Sequence, residues 1–392
     1  MTLRKRCKPC SIVGLAVLAA ANCAHAAIPA AERSALLDIY NGAGGAGWIY
    51  HLNWNGAVGS ECGNDSTGAP PWFGVTCDAS GSHVISIYLP QNNLVGSLPA
   101  SISAFSSLQT LNVSTNSLSG PIPTIAALTA LQNVSLEQNS FSGGLPALAG
   151  LGALVGFDAS NNSLSGPIPS LGGLANLQGF NISVNTLTGS VPALAGLAKL
   201  QVVDLHANAL SGSLPSLAGL TALQVFYAQA NRFSGAIPAL GGLSSLQFFN
   251  VDGNQLTGGI PALDGLPLKN FDVGANQLTG ALPYLGGLYT LNVLNVGGNQ
   301  LTGVVPSPPS PGALFPGASV LCGNAFTPTA NTFWDAATGV TPWYSACGLS
   351  LAAFNLDQHG LTGAWYNPAT GGQGLLIESY KDLQGAGKGY LT

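Results

Sequence analysis

An asparagine returns along this chain at almost constant intervals: Asn92, Asn116, Asn139, Asn162, Asn185, Asn208, Asn231, Asn254, Asn276 and Asn299. The gaps are 24, then 23 six times, then 22 and 23. Each asparagine sits in one frame, L-x-x-L-x-L-x-x-N-x-L-x-G-x-I-P with apolar swaps, and residues 177–192 spell it as LQGFNISVNTLTGSVP. A period this steady, between roughly 20 and 29 residues, marks units too small to bury their own apolar face. Such units are stable only when stacked, so the chain must form an elongated array.

Within one unit, residues 108–123, the frame assigns each position a task. Leu108, Leu111, Val113, Leu118 and Ile122 point inward. Thr110, Asn112 and Ser114 alternate outward, as a strand of period two requires. Asn116 lies at the bend, where an amide both donates to and accepts from neighbouring backbone. Stacking turns Asn116, Asn139, Asn162, Asn185, Asn208, Asn231, Asn254, Asn276 and Asn299 into a buried ladder. Gly120 turns the chain again and Pro123 ends the second extended segment. At about 4.8 Å between strands, ten units give a parallel sheet roughly 45 Å across.

Only 6% of the 392 residues are charged, against about 25% in an average domain. Mean hydropathy is +0.34, yet beyond the N-terminus no run of roughly 18 apolar residues exists to span a bilayer. The N-terminus reads as a secretory signal peptide over residues 1–26. Arg4, Lys5, Arg6 and Lys8 precede an apolar stretch, and Ala24-His25-Ala26 forms the cleavage site. Its removal leaves six Lys and Arg (10 − 4) against fifteen Asp and Glu, a charge of −9. The remaining bases are scattered, so no basic patch exists for a nucleic acid. Four cysteines stay in the exported chain, and pairing by proximity joins Cys62 to Cys77 and Cys322 to Cys347. Neither pair has the spacing of a zinc site.

The flanks carry a resemblance. Residues 27–83 hold Ala35-Leu36-Leu37 on an expected helix over 28–41, then Asn53-Trp54, then Cys62 followed by Trp72-Phe73-Gly74-Val75-Thr76-Cys77-Asp78. This segment resembles the N-terminal cap of plant-type leucine-rich repeat proteins, and the G-x-I/L-P ending of the units over 84–306 resembles the plant-specific subclass. The insertion between Cys62 and Trp72 is longer than in plant members. Residues 307–350, with Leu321-Cys322-Gly323-Asn324 and the aromatics Phe333, Trp334, Trp343 and Tyr344, resemble the C-terminal cap of such arrays. The resemblance implies an α/β-type leucine-rich repeat solenoid, dominated by β and loop. It has about ten 23-residue repeats and disulfide-bonded caps at both ends. Between Asn92 and Asn116 the chain keeps 24-residue spacing, and the residue lost later falls on the convex back. Residues 351–392 resemble, through GLTGAWYNPATGGQG, the start of a small β-rich domain of secreted bacterial proteins. They read as the truncated beginning of such a domain in a bacterial protein.

Function is expected on the outward columns of the strands. Small polar residues fill most of them, but Val202, Asp204, His206, Val225, Tyr227, Gln229, Phe248 and Asp252 cluster on three successive strands. Aromatics flanked by polar groups suit contact with a protein or a glycan. Ser183, His206 and Asp204 share this face, but both Asp204 and His206 are expected to project into solvent and no nucleophile elbow or oxyanion donors accompany them. The chain is therefore read as a secreted, non-enzymatic recognition protein without cofactor or metal. It would bind a protein or glycan through the concave face and have neither nucleic-acid partner nor transmembrane segment. Two alternatives are a targeting arm of a larger secreted enzyme or adhesin, and an inhibitor of a secreted hydrolase.

Overall fold

Every repeat contributes two short extended segments, and like segments of successive repeats lie side by side. The computed structural model describes residues 27–63, 70–308, 314–347, 363–366 and 374–377. The expected leader and most of residues 351–392 fall outside these; of the latter, Gly363–Tyr366 and Gly374–Ile377 pair antiparallel.

Among the described residues the repeats build two sheets of eleven strands each, both in chain order. The first runs from Val75–Cys77 and Val84–Tyr88 through Val202–Asp204 and Val225–Tyr227 to Val293–Asn295. Its strands are parallel and in step, with Gly179 opposite Val202 and Asn181 opposite Asp204. Only the first pair, supplied by the cap, is antiparallel. The second sheet joins the segments after each bend, from Val95–Gly96 to Ala325–Thr327. The fold is the expected leucine-rich repeat solenoid, with a second sheet that the sequence reading treats only as extended chain. The 24-residue repeat keeps a 3-10 helix on its back, Ala100–Ala104, where the 23-residue repeats make plain turns.

The core is a continuous stack. Inward positions such as Leu111, Phe180, Val203 and Leu294 are fully or almost fully buried. Phe226, Phe249 and Phe271 stack ring on ring at 5.6 Å per step.

The asparagine ladder closes this core on one side. Asn185 donates from Nδ2 to the carbonyls of Ala159, Ile182 and Ser183, at 3.0, 3.1 and 3.0 Å, and its Oδ1 accepts from Leu164 N at 2.9 Å. Each amide thus ties its own bend to the preceding repeat. The rungs from Asn185 to Asn299 are buried, whereas Asn116, Asn139 and Asn162 are half-buried. Asn92 turns the same amide on the cap, accepting from Tyr50 N and donating to Tyr50 O. Asn324 makes an eleventh rung, accepting from Leu301 N at 3.0 Å and donating to Val296 O at 2.9 Å. The residue before each rung is left-handed whatever its type, including Val184 at φ 53°. For a β-branched side chain that conformation is strained.

Both caps close with the expected disulfides, Cys62–Cys77 and Cys322–Cys347. The N-terminal helix spans Ala30–Gly42, so Pro29 precedes it and Gly42 ends it. Ala35, Leu36 and Ile39 carry its buried face, while Leu37 and Tyr40 are only half-buried. Trp48, Trp54 and Trp72 pack beneath this helix. Two carboxylates are buried there. Glu32 accepts from Val84 N at 2.8 Å and meets His83 Nδ1 at 2.7 Å; Glu61 pairs with Arg33. In the C-terminal cap Asn331 caps the helix Thr332–Thr338, and Trp334 and Trp343 are buried. Phe333 does not join them and faces outward.

Candidate functional site

The strands of the first sheet are three residues long through most of the array, so each offers two outward side chains, with a third just beyond its end. The eight candidate residues do converge. Val202 lies opposite Val225 and Asp204 opposite Tyr227; Val225 lies opposite Phe248 and Tyr227 opposite Asn250. His206, Gln229 and Asp252 follow in the column past the strand ends.

The patch is more enclosed than its sequence suggests. Val202 is exposed, but the other seven residues are half-buried. Lys269 covers part of the Phe248 ring, its Nζ 6.0 Å from the centroid. Asp204 and His206 do not project freely into solvent as expected. Asp204 Oδ1 lies 2.6 Å from His206 Nδ1 and also accepts from His206 N at 3.1 Å, leaving the two side chains only 17% and 13% exposed. The same Asx geometry turns serines inward elsewhere: Ser183 Oγ donates to Asn181 Oδ1 at 2.7 Å. Ser183 is therefore buried and engaged away from His206, which removes the geometry a serine nucleophile needs.

Burial also acts on acidity. The Tyr227 phenol is pushed up by desolvation and by Asp204. The Asp252 carboxyl is raised by burial to about 6. Burial, then the charge of Asp252, raises Asp272 to about 7. Gly274 lies between them without a side chain. A Cβ there would come 2.6 Å from Asp252 Oδ1 and 2.7 Å from Asn295 Nδ2. Earlier in the array, burial raises Glu137, and Asp158 adds to the effect. The sequence reading sets Asp158 and Asp272 aside because Asp or Asn is ordinary in their column, and gives Glu137, one column on, no role; the signal was their diagonal adjacency across repeats.

A second feature lies at the N-terminal edge of the sheet. Tyr50 stacks on Phe73 with ring centroids 5.0 Å apart, and Ile49, Leu52 and Tyr88 stand exposed around them. Sequence reasoning assigns this loop to the cap alone. Among the described residues no group of His, Cys, Asp and Glu is arranged to hold a metal, and no helix is long and apolar enough to cross a membrane.

The Leucine Rich Repeat family matches residues 107–127. An inactive leucine-rich repeat receptor-like serine/threonine-protein kinase of Arabidopsis thaliana is 38% identical over 98 residues, 24% of this chain and 14% of that protein. One solved structure similar to this chain is the LRR ectodomain of the plant membrane receptor kinase GASSHO1/SCHENGEN3 from Arabidopsis thaliana, in complex with CASPARIAN STRIP INTEGRITY FACTOR 2. It superposes with a TM-score of 0.63 at 35% identity, over 67% of this chain and 32% of the ectodomain. A plant ice-binding protein superposes with a TM-score of 0.61 at 25% identity, over 77% of this chain and 96% of that one. The chain thus spans less than a third of either receptor relative.

Proposed function

We propose that this chain, whose repeats are of the plant leucine-rich repeat type, is a non-enzymatic recognition protein that binds a peptide or protein on its concave face. It acts outside the cell or at its surface. The observation that carries this reading is the in-register patch of Val202, Val225 and Phe248 beside Tyr227 on a sheet whose other outward residues are mostly small and polar. A solenoid core accounts for none of these side chains, because they point away from it. The similarity to a receptor ectodomain in complex with a named factor supports a polypeptide partner. The glycan half of the expectation has no counterpart among the relatives above. The chain serves either as a free binder or as the recognition arm of a larger secreted protein. The test is capture of binding partners from extracellular extract by the full chain and by Tyr227→Ala/Phe248→Ala. Loss of a captured polypeptide with the variant supports the reading, and undiminished capture contradicts it.

A second reading is favoured by the ice-binding structure, nearly all of which this chain covers. On the second sheet the position three residues after each ladder asparagine is Ser or Thr in every repeat from Ser119 to Thr302. All but half-buried Ser211 are exposed. A flat, uncharged column of hydroxyls at strand spacing suits a regular water lattice. Inhibition of ice recrystallisation by the full chain, lost on Thr188→Lys/Ser211→Lys, would place function on that sheet instead.

A further inference from the structure

We propose that two copies of this chain associate through the N-terminal end of the solenoid, across an uncharged apolar patch of Ile49, Tyr50, Leu52, Phe73 and Tyr88. The inference is independent of what the concave face binds.

The area of the patch matches what a dimer needs. Its five side chains are between 37% and 60% exposed. At roughly 150–250 Å² for a whole aromatic side chain and roughly 30 Å² per aliphatic carbon, they offer about 400 Å² of apolar surface. A patch of this size equals the largest on an ordinary monomer and is often a binding site. Interfaces are about 55–65% apolar, so about 400 Å² is the apolar share of a contact burying roughly 700 Å² on each partner, which is within the range of specific interfaces.

The fold holds these side chains out on a fixed backbone. The first ladder rung ties the loop at both ends of one residue: Asn92 Oδ1 accepts from Tyr50 N at 2.6 Å and Asn92 Nδ2 donates to Tyr50 O at 2.9 Å. Ile49 N donates to Asn92 O at 3.2 Å, and Phe73 N donates to Leu52 O at 3.0 Å. Tyr88 N donates to Gly74 O at 2.8 Å, which sets the first outward tyrosine of the concave sheet next to the Phe73-Gly74 turn. Apolar groups on a backbone already fixed lose little further freedom when a partner covers them.

Polarity and charge decide the occupant. A hollow of about 540 Å³ opens in the patch, lined by Ile49, Tyr50, Leu52, Asn53, Trp54 and Phe73, but the donors around it are engaged. Asn53 Nδ2 donates to Pro70 O at 2.6 Å and Trp54 Nε1 to Phe73 O at 2.9 Å. A glycan, which is held through its hydroxyls, finds few partners there. A charged polypeptide finds no counter-charge in the segments that build the patch, because residues 39–60, 70–77 and 79–136 contain no Lys, Arg, Asp or Glu. A two-fold contact sets a patch against itself, so any charge within it would face its like, and this patch carries none. Elsewhere the chain, with fifteen Asp and Glu against ten Lys and Arg, repels its own copy. An uncharged end is the face that two copies can share. Two copies so joined also carry two concave faces, which raises avidity for a repeated ligand.

The test is sedimentation equilibrium of the full chain from about 1 to about 100 μM, since interfaces of this size associate at micromolar concentrations or below. The expected result is an average mass rising from the 39.4 kDa of one copy towards twice that. Association should tighten as salt is raised from about 0.05 to about 0.5 M, because salt screens repulsion between acidic copies and leaves apolar contact intact. Ile49→Glu/Leu52→Glu sets like charges against each other across the two-fold and should weaken association at least about tenfold. Tyr88→Ala, which removes one ring, should weaken it about threefold. A melting curve for each variant verifies its fold, and Tyr227→Ala/Phe248→Ala should associate as the unaltered chain does. A chain monomeric throughout, association loosened by salt, or association that the two end variants leave unchanged would overturn the inference. If that monomer loses capture of an extracellular partner on Ile49→Glu/Leu52→Glu, the patch belongs to a different protein. None of these outcomes decides the concave-face reading, which stands or falls on capture by Tyr227→Ala/Phe248→Ala.

Discussion

Two sets of polar side chains run the length of this solenoid, and they are treated oppositely. The ladder amides sit where every donor and acceptor finds backbone, as Asn185 does with four contacts. The concave carboxyls of Glu137, Asp252 and Asp272 sit where burial opposes their charge and no base among the described residues answers it. Satisfied buried networks rigidify a fold, while partly satisfied ones weaken it. The ladder therefore belongs to the scaffold. The carboxyls cost stability and take no such part in it.

Breaking the ladder should have the largest effect. Asn231→Ala removes the acceptor of Leu210 N and the donor to the carbonyls of Leu205, Ala228 and Gln229. Leaving these groups unmet should cost about 3–5 kcal/mol, read as a lower urea midpoint at constant slope. A loss under about 1 kcal/mol would show that water replaces the amide and that the ladder is no scaffold.

The cap offers a satisfied carboxylate for contrast. Glu32→Ala frees Val84 N and His83 and should cost about 2–3 kcal/mol, with the first repeats exchanging amide hydrogens faster than the last. An equal effect along the array would contradict a local role. Val184 sharpens the scaffold side from the other direction. Val184→Asn replaces a β-branched residue at φ 53° by one that tolerates the left-handed region, and should raise stability by about 1 kcal/mol. A thermal midpoint unchanged or lowered would mean that the Val side chain packs well enough to offset its strain.

How much of this was legible follows the physics of each feature. The ladder could be read because one residue type does one job at a fixed interval. Its eleventh rung, Asn324, lay 25 residues past Asn299, beyond a proline-rich interruption that hides the period. The left-handed position before each rung left no trace, since Thr, Gln, Ala and Val all occupy it. Glu32 and His83 are 51 residues apart, and no local pattern announces their contact. Period-two alternation correctly placed the candidate patch on three neighbouring strands. It could not show that an Asx turn folds Asp204 and His206 together, which depends on the side-chain rotamers just past the strand end, or that Lys269 covers Phe248, which depends on the distance between repeats.

The central contrast, satisfied amides against desolvated carboxyls, is tested most directly by the free energy of unfolding from pH 5 to pH 8. Asp252 and Asp272 hold protons in the fold at pH values where the unfolded chain, near 4, has released them. The unfolded state binds fewer protons across this window, so stability must fall as pH rises. His83, held above its ordinary value by Glu32, adds stability that is full below about 6.5 and fades as pH climbs through its folded value. Asp252→Asn/Asp272→Asn isolates the pair by leaving only that second contribution and the smaller one from Glu137. The account predicts that the chain loses about 1–3 kcal/mol more than the double variant between pH 5 and pH 8. It also predicts that the variant is the more stable of the two at pH 8. Parallel curves, or a variant less stable at pH 8, would contradict it.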